Sequence, residues 1–289
     1  MRRLDLTLTA RPTLTRSITM HGRRRLGLLA AALLPVTVLA ATTLAGGPAQ
    51  AAPTNPAPIK YVALGDSYSS GSGASGATGP CTKSPNSYPP LWAKAHAVAS
   101  FTNMTCGGAT MDTVTLTQLS GLKTDTTMVT MTVGGNDVGF VSIVAQCLAR
   151  GDAACQRAVN EQIAKKAQYV KKAGELAAKI KAKAPNAKLY LLGYPYLFET
   201  GPTCPTGPSL NQKQRQILHG GVDFLDDSLA EVAAANGFTY VDVRAAFAGH
   251  SSCGTPPWIT GLGAPPVPLH PNDAGYLGGY LPALTAVTG

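Results

Sequence analysis

The sequence lacks the marks of several common functional classes. It contains no Cys-x-x-Cys pair, and His250 and Cys253 are too few ligands to form a zinc site. Charged residues make up only 13% of the chain, and 7 of the 24 basic and 1 of the 15 acidic residues lie in residues 1–51. The remaining 17 basic and 14 acidic residues form no cluster typical of a nucleic-acid interface. We therefore expect no metal, no organic cofactor and no nucleic-acid partner.

The first 51 residues have the features of a secretory signal peptide. Residues 23–25 are arginines, residues 26–44 are apolar, and residues 49–51 fit an A-x-A cleavage site. A membrane anchor is the alternative, but threonine and proline interrupt the apolar run. Export by the twin-arginine route and a start at Met20 remain open. We predict a secreted protein with a signal peptide at residues 1–51 and a single domain at residues 52–289.

All six cysteines follow this segment. An even number in a secreted chain favours three disulfides over metal ligation. Fifteen connectivities are conceivable, and pairing in chain order is the simplest. The cysteines are Cys81, Cys106, Cys147, Cys155, Cys204 and Cys253.

Strand-like and helical segments alternate along the rest of the chain. Apolar runs typical of buried parallel strands occupy residues 60–64, 97–101, 128–133, 188–193 and 238–243. Helical spacing occupies residues 158–184, 210–236 and 273–287, and Gly220-Gly221 marks a candidate break in the second helix. One face of the first helix is basic, which fits either a solvated surface or contact with anionic lipid. The alternation predicts an α/β fold with a parallel sheet covered by helices on both faces.

Four short motifs concentrate residues suited to catalysis. The carboxyl ends of parallel strands meet at one edge of a sheet, and the first three motifs each follow a predicted strand. A serine hydroxyl, a glycine N–H group, an asparagine amide and a histidine would thus converge there. These groups are a nucleophile, oxyanion donors and a base, the set needed for acyl transfer. The motifs are Gly65-Asp66-Ser67, Cys106-Gly107-Gly108-Ala109, Gly134-Gly135-Asn136-Asp137 and His270-Pro271-Asn272-Asp273.

Ordinary explanations compete with each motif. Gly-Asp-Ser also suits a turn or a helix N-cap, and Gly-Gly pairs suit tight turns. The Gly-x-Ser-x-Gly elbow is absent around Ser67, which argues against an α/β-hydrolase. Residues 71–76 match a dinucleotide-binding fingerprint, but they begin six residues after the strand and no acidic residue follows at the required distance. His270 is the candidate base, because His96 and His219 fall in predicted helices and His250 lies beside a cysteine-bearing loop.

In this order the four motifs resemble those of the SGNH (GDSL) hydrolase family, in particular the secreted lipases and esterases of actinomycetes. The resemblance runs from about Lys60 to the C-terminus. It implies Ser67 as nucleophile and His270 as base, with the Ser67 and Gly108 N–H groups and the Asn136 side chain as oxyanion hole. It also implies a flavodoxin-like three-layer α/β/α sandwich with a five-stranded parallel sheet, and it supports disulfide pairing in chain order.

The chain departs from the family pattern at one position. The family usually has Asp-x-x-His, whereas Val267, Pro268 and Leu269 precede His270. Some members use a main-chain carbonyl instead, so we expect Val267 or Pro268 to orient the histidine. The carboxylates of Asp273, Asp242 and Asp137 are the alternatives.

These observations predict a secreted serine ester hydrolase, a lipase or carboxylesterase acting on medium- to long-chain acyl groups. Aromatic and aliphatic residues of the late loops form either an acyl-chain groove or loop packing: Tyr194, Tyr196, Phe198, Trp258, Ile259 and Leu262. A phospholipase and a carbohydrate (acetyl) esterase are alternatives on the same site, and a non-catalytic extracellular binding module is the alternative from another class. We expect a monomer and leave open a transient contact with a lipid surface.

Overall fold

The computed structural model describes residues 58–204, 210–265 and 267–289. The predicted signal peptide lies outside the described residues, as does the start of the predicted domain. Within the described part of the chain, no helix is both long and apolar enough to cross a membrane.

Five strands form one parallel sheet in the order β2-β1-β3-β4-β5. They are β1 (Lys60–Gly65), β2 (Ser100–Asn103), β3 (Met128–Thr132), β4 (Lys188–Leu192) and β5 (Thr239–Val241). The central strand β3 is buried along its whole length, as expected where helices cover both faces of a parallel sheet. This strand order is that of the flavodoxin-like doubly wound fold, which confirms the predicted fold class.

Two groups of helices pack around the sheet. The helix α2 packs against α8, while α5 packs against α3 and α6. The helices are α1 (Ser67–Ser70), α2 (Tyr88–Ala95), α3 (Met111–Thr117), α4 (Phe140–Ile163), α5 (Lys166–Lys183), α6 (Gln212–Asn236), α7 (Asp273–Gly275) and α8 (Leu281–Thr288). A 3₁₀ turn at Gln118–Gly121 follows α3, and a π-helical turn at Tyr276–Tyr280 joins α7 to α8.

Two of the predicted elements are wrong in their boundaries. The second strand begins at Ser100 rather than at residue 97, because α2 ends at Ala95 and Ala97 turns the chain with a φ of 46°. The helix predicted at residues 158–184 is two helices, α4 and α5, and the first 18 residues of α4 were not predicted as helical. Gly151, with a φ of 75°, kinks α4 in its middle and hides its periodicity from the sequence.

The long helix α6 begins and ends as its sequence dictates. A capping box joins Asn211 to Gln214 at its start, and Gly237 closes it in the left-handed conformation. The candidate break at Gly220-Gly221 does not occur, because the helix runs unbroken from Gln212 to Asn236.

The six cysteines are paired in chain order. The disulfides are Cys81–Cys106, Cys147–Cys155 and Cys204–Cys253. The first holds the loop after α1 against the loop after β2, and the second spans the kink in α4. The first and third disulfides restrict loops that follow β2, β4 and β5 at the carboxyl edge of the sheet.

Candidate active site

Ser67 lies at the first position of α1, directly beyond the end of β1. The turn between them requires Gly65, whose φ is 119° and whose added Cβ would lie 2.3 Å from the Thr132 carbonyl oxygen. Asp66 caps α1 by accepting a hydrogen bond from the Tyr68 N–H group. The half-buried Ser67 side chain is thereby presented at the carboxyl edge of the sheet.

His270 reaches Ser67 across this edge. Its Nε2 atom lies 2.7 Å from Ser67 Oγ, and its Nδ1 atom lies 2.7 Å from the Pro268 carbonyl oxygen. A carbonyl accepts only, so Nδ1 carries the proton and Nε2 is free to accept one from the serine. Burial of the ring lowers the pKa of His270 below its ordinary value, although the bond to Pro268 opposes that shift. The histidine is therefore neutral at pH 7 and able to act as a base.

The other groups considered for orienting His270 are engaged elsewhere. The Val267 carbonyl accepts a hydrogen bond from Thr260 Oγ1 at 2.8 Å, whereas His270 Nδ1 contacts the Pro268 carbonyl. Asp273 accepts from the N–H and hydroxyl groups of Ser75. Asp242 pairs with Arg244, and Asp137 with Lys172 and the Met111 N–H group.

The glycine-rich stretch that mimics a dinucleotide fingerprint packs against the histidine loop. An added Cβ at Gly73 would lie 2.5 Å from the Pro271 carbonyl oxygen and 2.7 Å from His270 Cβ. Tyr68 fixes the same loop by donating to the Leu269 carbonyl at 2.6 Å. Gly73 is thus explained by the close approach of two backbones.

The three predicted oxyanion donors are the N–H groups of Ser67 and Gly108 and the side-chain amide of Asn136. The N–H groups of Ser67 and Gly108 have no acceptor among the described residues. Asn136 Nδ2 donates to the Ala109 carbonyl at 3.0 Å, which leaves its second hydrogen available. That bond also ties the Asn136 loop to the Gly108 loop, where a φ of 78° favours glycine. The three predicted oxyanion donors come from three different strand ends, at the edge where the sequence predicts them.

Asp66 forms the buried centre of this edge. It accepts hydrogen bonds from the Tyr68 N–H group, the Thr132 hydroxyl and the Tyr194 hydroxyl. Burial raises the pKa of Asp66 to about 6, although the hydrogen bonds to Tyr194 and Thr132 oppose the rise. The Tyr194 hydroxyl in turn accepts from the Gly135 N–H group at 3.2 Å. Asp66 and Tyr194 therefore connect the turn at Ser67 to the Asn136 loop. No sequence motif predicts this connection.

The other histidines of the described residues lie in aromatic stacks. His96 stacks on Trp92, His219 on Tyr196, and His250 on Trp258. Since their rings are packed elsewhere, His270 is the histidine that the fold brings to Ser67.

An apolar cavity of about 260 Å³ opens beside Ser67 and His270. Most of the residues that line it fall into two groups, and four others line it outside both groups: Val138, Pro195, Leu197 and Leu262. The catalytic edge comprises Asp66, Ser67, Tyr68, Gly135, Asn136, Tyr194, Pro268, Leu269 and His270. The helix wall comprises Phe140, Val141, Ile143, Val144, Ala145, Leu148, Val159 and Gln162 of α4 with Leu218, Gly221, Val222, Phe224 and Leu225 of α6.

The late loops contribute less to this cavity than the sequence suggested. Of the six residues considered for an acyl groove, Tyr194 and Leu262 line the cavity. Tyr196 donates to Asp223, and Trp258 stacks on His250. Phe198 and Ile259 are buried in the core. The larger share of the cavity lining comes from α4 and α6. The sequence predicted α6 and the end of α4 only as helices that cover the sheet, and it did not predict the first part of α4 as helical.

The chain matches known proteins over most of its length. The family model of the GDSL-like lipase/acylhydrolase family matches residues 63–277. A lipase of Streptomyces rimosus is 36% identical over 237 residues, which cover 79% of this chain and 86% of that protein. Lipase 1 of Streptomyces coelicolor is 38% identical over 234 residues, which cover 78% and 85%.

Solved structures of Streptomyces enzymes also match most of the chain. The crystal structure of phospholipase A1 from Streptomyces albidoflavus has a TM-score of 0.75 at 37% identity, covering 78% of this chain and 98% of that chain. The extracellular lipase from Streptomyces rimosus has a TM-score of 0.76 at 36% identity, covering 80% and 100%.

Proposed function

The chain belongs to the GDSL-like lipase/acylhydrolase family and is an esterase or lipase of that family, and from this premise we propose that it cleaves carboxylic esters of medium- to long-chain acids through an acyl-enzyme on Ser67. The observation that carries the proposal is the 2.7 Å contact between Ser67 Oγ and His270 Nε2 at an apolar cavity. A binding module would have no need of this contact.

The proposed reaction has two halves. Ser67 Oγ attacks the ester carbonyl carbon while His270 Nε2 takes the hydroxyl proton, and the carbonyl oxygen becomes an oxyanion. The Ser67 and Gly108 N–H groups and the Asn136 side chain donate to that oxyanion. When the tetrahedral intermediate collapses, the bond to the alcohol oxygen breaks and His270 gives its proton to the leaving alcohol. Water then attacks the acyl-enzyme by the same steps and releases the acid.

Pro268 takes the place of the carboxylate usual in such sites. Its carbonyl accepts from His270 Nδ1 at 2.7 Å, which fixes the tautomer and the plane of the ring. A neutral carbonyl stabilises imidazolium less than a carboxylate does. The oxyanion donors therefore carry more of the rate acceleration in this dyad than in a full triad.

The cavity supports an apolar acyl group as the part of the substrate that is recognised. Most of the helix wall is aliphatic or aromatic, and Gln162 is its one polar side chain among the described residues. A carbohydrate acetyl esterase would need a short, polar acyl pocket instead. Phospholipid hydrolysis is the second candidate, because the relative from Streptomyces albidoflavus is a phospholipase A1.

Contact with a lipid surface is part of the proposal. Val141, Ala145 and Leu148 of α4 lie on one helical face, line the cavity and are also exposed to solvent. Val141 is 75% exposed, and from Phe140 to Ala149 the helix carries no charged residue. An apolar stripe continuous with the cavity would let an acyl chain pass from a lipid surface to Ser67.

We also propose secretion, with residues 1–51 removed and a single domain over residues 52–289. The three disulfides support this localisation. The relative from Streptomyces rimosus is an extracellular lipase.

The test is hydrolysis of p-nitrophenyl esters from acetate to palmitate by the protein recovered from the medium after expression of the full chain. We expect turnover with an optimum at medium or long chains, and a loss of about 10⁴-fold or more in kcat in Ser67→Ala. An optimum at acetate would move the function to a carbohydrate esterase. Equal activity of the wild type and Ser67→Ala would refute the proposed mechanism.

A further inference from the structure

Two adjacent glycines lie in the interior of α6, where the helix is regular. Gly220 and Gly221 produce no kink, although glycine is the least favoured residue of a helix interior apart from proline. Neither has a φ in the left-handed region. Backbone conformation therefore does not explain why glycine occupies these two positions, so we consider what surrounds each of them.

The surroundings of the two glycines differ. Gly221 lines the cavity, and an added Cβ would lie 3.7 and 3.8 Å from the two methyl groups of Val159 on α4. Gly220 is exposed, and an added Cβ there would meet nothing within 4 Å. The distance to Val159 is that of ordinary van der Waals contact, so close packing of the two helices does not require glycine at position 221 either.

We infer that Gly221 is a specificity-determining residue, which admits long acyl chains because it adds no side chain to the cavity wall where α6 meets α4. This inference rests on the proposed ester hydrolysis at Ser67. Gly221 lies between Leu218 and Val222 on the helix wall, so its missing side chain is a gap in an otherwise apolar surface. Val159 opposite is 4% exposed and held in the core, so it cannot retreat to make room.

The size of the side chain at position 221 should decide which substrates enter. Alanine would add one methyl group at an ordinary contact distance and fill little of the cavity. A leucine side chain is longer than the gap to Val159 and would extend into the space that an acyl chain occupies. Acetyl and butyryl groups need room only beside Ser67, so their hydrolysis should be spared.

The experiment compares Gly221→Leu with Gly220→Leu on p-nitrophenyl esters from acetate to palmitate. Both variants make the same replacement in the same helix and raise its helix propensity equally. For Gly221→Leu we expect kcat/KM to fall about tenfold or more for decanoate to palmitate and to change less than about twofold for acetate and butyrate. For Gly220→Leu we expect the wild-type chain-length profile. An unchanged ratio of palmitate to butyrate activity in Gly221→Leu would overturn the inference.

A second variant guards against misfolding of Gly221→Leu. Gly221→Cys should fold as the wild type does, and the folded protein is then treated with alkyl methanethiosulfonates of increasing length. The preferred ester should shorten as the attached alkyl group lengthens. If it does not shorten although mass spectrometry shows attachment, the inference fails. Ser67→Ala run beside these variants reports separately on the proposed function, because loss of that function would remove activity on every ester.

Discussion

The catalytic edge and the helix wall enclose one cavity but are held in different ways. At the edge, each functional group is fixed by directed hydrogen bonds, as His270 is by Pro268 and Asn136 by the Ala109 carbonyl. Every side chain of the helix wall except the Gln162 amide is aliphatic or aromatic, and these apolar side chains pack by shape rather than by hydrogen bonds. Under the proposed function, the edge would determine whether an ester reacts, and the wall would determine which acyl group is held.

This division follows from the physics of the two surfaces. A hydrogen-bonded donor stabilises an oxyanion only within a narrow range of distance and angle, so the edge tolerates little displacement. Apolar contacts have no direction and scale with the buried area, so the wall can change its shape gradually. Variants at the edge should lower the rate for all esters alike, whereas variants of the wall should change the ratio between long and short esters.

The largest effect that tests this division is expected from Asn136→Ala. Removal of one oxyanion donor costs about 10²–10³-fold in kcat. Since the oxyanion is the same for every ester, the loss should be equal from acetate to palmitate. Steady-state kinetics over the ester series measure it.

Gln162→Ala is the matched control, because it removes an amide side chain from the helix wall instead of the edge. It should change kcat for acetate by less than about twofold. If Asn136→Ala spared long esters, or if Gln162→Ala lowered the rate as strongly, the two halves of the cavity would not have separate roles.

A smaller effect is expected from pH, and it should again act only at the edge. His270 must be neutral to accept the serine proton, and burial lowers its pKa below the ordinary value of 6.5. The midpoint of its protonation therefore lies below pH 6.5, and kcat/KM for acetate should fall about tenfold for each pH unit below that pKa. None of the described residues of the helix wall titrates, so the ratio of long- to short-chain activity should stay constant over this range.

Asp66 could contribute to the same acid limb, because burial raises its pKa to about 6. Asp66→Asn keeps a side-chain oxygen that can cap α1 and replaces the titratable carboxyl with an amide that does not titrate. The acid limb should persist in this variant if His270 is its cause. A midpoint above pH 7 in the wild type would contradict the neutral, carbonyl-oriented histidine.

The sequence predicted the edge far better than the wall, for a physical reason. Ser67, Gly108 and Asn136 lie in turns directly after strands, and His270 lies in the loop before α7, and each of these segments carries a short motif that the sequence shows. Because position 267 carries no carboxylate, the sequence favours a main-chain carbonyl as the acceptor for His270 Nδ1. Which carbonyl accepts, that of Pro268 or that of Val267, depends on the path of one loop.

The wall depends on contacts between segments that are distant in sequence. The kink at Gly151 interrupts the periodicity of α4, and nothing local indicates that Val159 lies next to Gly221 at the cavity. In the same way, the pair Gly220-Gly221 predicts a break in α6 from local sequence alone. The helix is unbroken, and the position of Gly221 on the helix wall offers a different explanation for that glycine. The link from Asp66 to Tyr194 also joins strand ends that are 128 residues apart.

The smallest expected effect concerns the outer rim of the wall, at Val141. Val141→Ser changes a 75% exposed side chain, so the free energy of unfolding should change by less than about 0.5 kcal/mol. If the rim contacts lipid, the ratio of activity on emulsified long-chain ester to activity on dissolved acetate should fall about two- to fivefold, because less apolar area is buried in the lipid surface. Leu116→Ser is the matched control, since Leu116 is 82% exposed on α3 but does not line the cavity. An equal decrease in both variants would mean that general surface hydrophobicity, and not continuity with the cavity, governs the contact with lipid.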